Sequence, residues 1–428
     1  MKTLIKNGKI NSFDNQLIDA AIWIEEGLIK AIGTDFAEEA FDRVYDAQGQ
    51  LITQGLVDVH VHFREPGFTY KETIKTGSLA AAKGGFTTIC AMPNLNPVPD
   101  TKELFQELMK KNQTEGAVRI FQYAPITENL RSETISPMKE LKDAGALGFT
   151  NDGVGVQTAG TMYLGMKEAA RLNLPLIAHT EDDSLLFGGV MHEGIKNKEL
   201  NLPGILGVAE SSQIARDLLL AEATGVHYHV CHLSTKESVR VIRDAKKAGI
   251  HVTCEVTPHH LLMNEEDILN DHGYFKMNPP LRGKEDQEAL IEGLIDGTID
   301  CIATDHAPHG YEEKNQSMLK APFGITGSET AFSLLYTELV KKGRLSLEQL
   351  LNALTVKPAE IFNLPYGKLR IGQPCDLTLL QLEQEEIIEE LKPIRMALHG
   401  DLSYEVNFYF EYTDSGKTID DFRYALAT

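Results

Sequence analysis

Residues 56–62 read LVDVHVH. The run is apolar and rich in β-branched residues, so it predicts a strand, and it ends in two histidines one residue apart. Strict alternation puts His60 and His62 on one face with Asp58, and Val57, Val59 and Val61 on the other. Seven more runs of strand character follow: FTTICAM (86–92), VRIFQYA (118–124), ALGFT (146–150), LPLIAHT (174–180), HYHVCHL (227–233), IHVTCEV (250–256) and IDCIATD (299–305). Helical stretches such as ESVRVIRDAKKAG (237–249) lie between most of them. Eight strands alternating with helices predict an α/β fold, a (β/α)8 TIM-like barrel.

The barrel is expected over residues 55–365. Ahead of it, residues 4–10 and 18–32 read as short strands with turns at Asn7-Gly8 and Glu26-Gly27. After it, YGKLRIGQPCDLTLLQL (366–382) returns to strand character. A small composite β domain is therefore expected from both chain ends, residues 1–54 plus 366–428. The acidic run EQEEIIEE (383–390) reads as a solvated face.

Composition narrows the function classes. At ~150 residues per domain, 428 residues allow two or three domains, but one large barrel absorbs most of them. Hydrophobic residues at 42% and charged residues at 24% exclude a disordered chain. There is no run of ~18 apolar residues, so no membrane span is expected. MKTLIKNGKINS has no apolar signal core, and secretion through a signal peptide is not expected. With 41 basic and 62 acidic residues the net charge is −21, which repels nucleic acid and anionic membrane surfaces. The five cysteines form no CxxC pair and fit reduced thiols in a cytoplasmic protein.

In a barrel, chemistry sits at the C-terminal ends of the strands. The unusual polar residues fall there. Strand one ends at His60 and His62, strand four at Asn151-Asp152, strand five at His179, strand six at His232, and strand eight at Asp305-His306. Any one of these could be a packed histidine or a helix-capping aspartate. Together they offer four imidazoles and two carboxylates, which suits two divalent ions of the zinc type with open positions for water. By strand parity His229 points away from His232, which gives His227 and His229 a place in the core or behind a ligand. His259 and His260 could line the mouth. Cys231 reads as a buried thiol, and His306 as a structural residue on the far side of its strand. His192, His251, His272 and His399 have no companions.

The stretches DVHVHFREPG (58–67), GGFTTICAMPN (84–94), GFTNDG (148–153), AHTED (178–182), HVCHLST (229–235), TPHHL (257–261), KMNPPLR (276–282), ATDHAPH (303–309) and APFGITGSE (321–329) occur in this order. The set resembles the amidohydrolase superfamily, and within it the class I bacterial dihydroorotases. The resemblance implies that His60, His62 and Asp305 hold one metal ion, that His179 and His232 hold a second, and that Asp152 bridges the two. It implies a substrate face made of His62, Arg64, Asn94, Asn278, His309, Phe323 and Gly324, with Arg64, Asn94 and His309 clamping a carboxylate. It also implies reversible closure of N-carbamoyl-L-aspartate to L-dihydroorotate in pyrimidine synthesis, through a metal-bridged hydroxide with Asp305 as proton shuttle. Relatives in the superfamily often bridge their ions with a carboxylated lysine. Strand four offers no lysine here, and Lys142 precedes it. That disfavours the alternatives, another cyclic amidohydrolase such as a dihydropyrimidinase or an allantoinase. A non-catalytic scaffold is disfavoured because no expected ligand position is lost. A homodimer is the implied assembly.

Overall fold

Eight parallel strands close a ring in chain order: Leu56–Val61, Phe86–Ala91, Arg119–Gln122, Phe149–Thr150, Leu176–Ala178, Tyr228–Val230, Val252–Val256 and Cys301–Ile302. Successive strands pair in parallel. Bridges Ala124↔Phe149 and Val61↔His306 join the third strand to the fourth and the eighth to the first. The fold is therefore the (β/α)8 barrel that the alternation of elements predicts. It is described here from a computed structural model, which covers residues 1–12 and 14–383 and the backbone of Val406–Phe410.

The chain returns from each strand end through a loop into a helix. Thr73, Thr101, Thr158, Thr235 and Thr257 cap five of these helices by accepting a backbone N–H of the first turn. Between strands and helices lies one apolar layer, with Leu56, Phe86, Phe105, Phe149, Met162, Ile214, Ile242 and Leu350 fully buried. A second layer fills the barrel itself: Val57, Val59, Cys90, Tyr123, Ile177, Cys231 and Cys301, with Ala359, Phe362 and Leu364. The segment carrying these last three lies at the end opposite the mouth, where Gln54 donates to Thr355 at 3.0 Å.

The plain alternation expected of strand one does not hold. Its register slips between Asp58 and Val61. Val57 and Val59 pack inside the barrel, whereas Val61 joins the outer layer. Asp58 leaves the histidine face and bonds the backbone N–H and hydroxyl of Thr304 at 3.0 and 2.5 Å. The irregularity still delivers His60 and His62 to one pocket, because it absorbs the residue that alternation would have sent outward.

Lys2–Asn11, Leu17–Glu25, Leu28–Gly33, Arg43–Asp46, Leu51–Gln54, Asp376–Leu380 and Val406–Phe410 form a separate sheet from both chain ends. Glu26 and Gly27 make the expected hairpin turn, both with positive φ. Asn7-Gly8 does not reverse the chain. It is a bulge inside the first strand, where the register shifts between Ile5 and Gly8. A Cβ on Gly8 would fall 2.2 Å from Ile52 Cδ1, so the strand needs glycine for close packing rather than for a turn. Residues 384–390 of the acidic run and His399 lie outside the described residues. Among the described residues no helix is long and apolar enough to cross a membrane, and the five cysteines are buried.

Candidate active site

Six side chains meet at the barrel mouth. His60 Nε2 and His62 Nε2 lie 3.2 Å apart. Asp305 Oδ1 is 3.0 Å from His62 Nε2 and 3.3 Å from His60 Nε2. His179 Nδ1 and His232 Nε2 face each other at 3.0 Å. Asp152 stands between the two pairs. Its Oδ1 is 3.5 Å from His60 Nε2, 3.6 Å from His232 Nε2 and 3.8 Å from His179 Nδ1, and its Oδ2 is 3.2 Å from His62 Nε2. All six are buried.

Local backbone chemistry aims them. Asn151 accepts the N–H groups of Ile126 and Thr127 and donates to the Thr127 hydroxyl and the Leu130 carbonyl, which pins the turn that presents Asp152. His232 and Asp305 take positive φ values of 31° and 49°, uncommon for non-glycine residues. These bends send each side chain where strand parity would not. For that reason parity misplaces His229, which is turned toward the site: its Nε2 lies 3.1 Å from Glu255 Oε2, while Glu255 Oε1 lies 2.6 Å from His60 Nδ1.

The electrostatics are those of a cation site. Burial opposes charge on Asp152, Asp305, His60, His62 and His179. The opposite charges around each one outweigh it, holding the Asp152 and Asp305 carboxyls below the usual carboxylate range and the His60, His62 and His179 imidazoles above theirs. Burial pushes the Glu255 carboxyl up as well, and the adjacent His60 and His229 bring it down to about 2. Asp152 Oδ1 and His232 Nδ1 are buried with no hydrogen-bond partner among the described residues. Imidazole nitrogens about 3 Å apart and an orphaned carboxylate oxygen are a donor set that divalent ions would satisfy. The donor set therefore fits a metal centre. Cys231 lies beside His60 and Asp152, but burial pushes its thiol well above the ordinary range and it packs with the inner apolar layer.

The expected substrate residues line the same mouth with different degrees of freedom. Arg64 is buried, donates through Nε to the Pro308 carbonyl at 3.0 Å, and has no carboxylate within ion-pair distance among the described residues. Asn94 Oδ1 accepts from His62 Nδ1 at 2.8 Å, so its amide NH2 is the part left to face a ligand. Asn278 donates to both oxygens of Glu181 at 2.9 and 3.1 Å. His309 has partners on both nitrogens: Lys71 donates to Nδ1 at 3.1 Å, and Nε2 donates to the Phe323 carbonyl at 2.7 Å. Burial first, and then the charges of Arg64 and Lys71, push His309 down to about 3. Gly324 has φ +132° and donates its N–H to the Lys276 carbonyl at 3.1 Å; a Cβ there would fall 2.6 Å from the Ala307 carbonyl oxygen. His260 bonds Thr257 and the Pro279 carbonyl, His259 Nε2 is buried without a partner, and His306 bonds Glu72. Lys142 donates to the Leu172 carbonyl, at the C-terminal end of the helix Ala159–Arg171 and away from the mouth.

Sequence reasoning passed over Glu255, Asn151 and Glu181. Asn151 and Glu181 sit inside the quoted motifs beside predicted ligands. Glu255 had a signal too, as the one carboxylate in strand seven.

Residues 49–238 match a family model described as dihydro-orotase-like. A protein of Enterococcus faecalis named dihydroorotase is 69% identical, over 89% of this chain and 90% of its own length. One of Ligilactobacillus salivarius with the same name is 57% identical over 91% of each chain. Among solved structures, an L-hydantoinase (dihydropyrimidinase) from Arthrobacter aurescens superposes with a TM-score of 0.80 at 28% identity, covering 90% of this chain and 88% of its own. A D-hydantoinase from a Thermus species gives 0.76 at 27% over the same shares.

Proposed function

The chain belongs to the dihydroorotase family, and from that membership we infer that it opens and closes the ring of L-dihydroorotate, the step that forms the ring from N-carbamoyl-L-aspartate in pyrimidine synthesis. The observation that carries this beyond the name is the pairing of a buried cluster of four imidazoles and two carboxylates with a buried guanidinium that has no anionic partner within ion-pair distance among the described residues. A cyclic amide bearing a carboxylate is what such a pair would hold.

We propose that His60, His62, Asp152, His179, His232 and Asp305 hold two divalent ions of the zinc type, with Asp152 shared between them. Bound there, the ions would acidify water and polarise the ring carbonyl. The protein's own part is positioning and proton transfer. Arg64 presents its terminal nitrogens to the substrate carboxylate, a two-pronged match that lysine cannot make. The Asn94 amide and the neighbouring Lys71 charge favour the same anion. Asn278 and the Phe323–Gly324 backbone border the ring, and His309 braces that border rather than offering a free nitrogen. Asp305 takes the proton of the attacking water on a carboxylate oxygen and returns it to the ring nitrogen as the C–N bond breaks. The product keeps both atoms of that bond, one as a new carboxylate carbon and one as a carbamoyl nitrogen. Closure reverses each transfer. A homodimeric assembly and a cytoplasmic location belong to the same proposal.

Purified protein incubated with L-dihydroorotate, dihydrouracil and hydantoin tests the substrate assignment, with elemental analysis of the same sample testing the ions. Ring opening of L-dihydroorotate alone, with about two zinc equivalents per chain, is expected. Preference for either uncharged ring would remove Arg64 from its role and overturn the assignment.

A further inference from the structure

Beneath the proposed metal pocket, the barrel interior carries a second polar chain. His60 Nδ1 meets Glu255 Oε1 at 2.6 Å, and Glu255 Oε2 meets His229 Nε2 at 3.1 Å. His229 Nδ1 meets Thr253 Oγ1 at 2.8 Å, and the same hydroxyl meets His227 Nε2 at 2.8 Å. His60, His229 and Glu255 are all 0% exposed. Register builds the ladder. His229 and Thr253 are paired positions on the sixth and seventh strands, and Glu255 is two residues further along the same face.

Donor accounting fixes where the protons lie. A carboxyl is a far stronger acid than an imidazolium, so between two imidazoles the protons stay on nitrogen. An ionised carboxylate only accepts. Glu255 therefore receives Nδ1–H of His60 on one oxygen and Nε2–H of His229 on the other. With His229 neutral, its Nδ1 accepts the Thr253 hydroxyl proton, and that hydroxyl oxygen accepts from His227. The chain has one consistent direction, and at its upper end His60 Nδ1 is committed to Glu255, which leaves Nε2 as the nitrogen to meet an ion. That nitrogen faces His62, Asp152 and Asp305.

We propose that Glu255, braced by His229 and Thr253, is a positioning residue that sets the tautomer and ring orientation of His60 for metal binding. It also accepts the backbone N–H of His232 at 3.4 Å, so one buried carboxylate touches residues from both halves of the pocket. His229, Glu255 and Cys301 lie close enough to resemble a metal site in their own right. The imidazole nitrogens and carboxylate oxygens of that trio are already spent on one another, on His60 and on Thr253, which leaves no nitrogen or oxygen donor for an ion.

The inference rests on the metal reading of the pocket, and the test separates the two. Zinc affinity of the full chain is measured by chelator competition for wild type, Glu255→Gln and Glu255→Leu, with thermal melts followed by circular dichroism. Wild type that binds no zinc would remove the metal reading itself. With zinc bound, Glu255→Leu is expected to weaken at least one equivalent by about 10–100-fold. Glu255→Gln, whose carbonyl still accepts from His60, should fall between Glu255→Leu and wild type. Wild-type affinity in Glu255→Leu would overturn the proposal. So would a third bound zinc that disappears in His229→Gln. Should Glu255→Leu fail to fold, nitrogen-15 spectra of histidine-labelled wild type loaded with zinc decide the matter. A proton on His60 Nδ1 is expected, and zinc on that nitrogen would end the proposal.

Discussion

The two halves of the pocket are aimed by different means. In the half built by strand one, each imidazole is held from behind: Glu255 takes His60 Nδ1 at 2.6 Å and Asn94 takes His62 Nδ1 at 2.8 Å. In the half built by strands five and six, His232 Nδ1 is buried with no partner, and His179 Nε2 has only Glu181 at 3.5 Å. A ring held from behind keeps its aim whether or not an ion is present. A ring without that hold takes its aim from what it binds. The first half is thus prepared by the protein alone. On the proposed metal reading the second would depend on the ion, and on a left-handed backbone at His232 that fixes only where the ring begins.

The largest effects expected lie on the two carboxylates of the cluster. Asp305→Asn should retain zinc and lose about 10²–10⁴-fold in kcat, since the amide can still face the ions but cannot carry the proton. Turnover near wild type would take the shuttle role away from Asp305. Asp152→Ala should weaken both zinc equivalents beyond the range of about 10–100-fold that outer partners account for. If only one equivalent weakened, Asp152 would belong to one half rather than join the two. Arg64→Ala leaves both halves untouched and should raise KM for dihydroorotate by about 10–100-fold, the scale of a lost charge-assisted hydrogen bond. A changed zinc affinity in that variant would mean that the clamp and the metal pocket are not separate devices.

The barrel was legible because its signals are local. Eight apolar runs alternating with amphipathic stretches carry their own periodicity. The six proposed ligands were legible for a related reason, since all stand at strand ends, where a histidine or aspartate is conspicuous against Val, Ile and Ala. What escaped depends on contacts between distant residues. Parity gave His229 the place it holds, buried behind a ligand, but turned it away from the site and kept Asp58 with the histidines, because a register slip in strand one and a positive φ at His232 are not written in residue type. Glu255 bonds a residue 195 positions away, and no spacing rule connects them. Asn7-Gly8 misled for the opposite reason. The dipeptide favours positive φ, and the chain used that freedom for a bulge against Ile52 instead of a reversal.

The smallest effects bear most directly on the contrast between the halves. Asn94 and Glu181 are matched probes: each approaches the outer nitrogen of one proposed ligand, Asn94 at 2.8 Å and Glu181 at 3.5 Å. Asn94→Leu removes the acceptor that holds His62 Nδ1–H and aims Nε2 at the pocket, so zinc affinity should drop by about tenfold. Glu181→Leu removes a contact too long to be a good hydrogen bond, and Asn278 rather than His179 loses its main partner. Zinc affinity should then change by less than about threefold, well under the tenfold lower end for a working outer partner. Chelator competition on the two variants reads this difference without reference to activity, which both substitutions could alter through the substrate face. Equal losses would show that the long contact tightens once the ion is in place, and that the second half is held from behind after all. A loss confined to Asn94→Leu would locate the preparation of the site on strand one, where the histidine pair LVDVHVH first announced it.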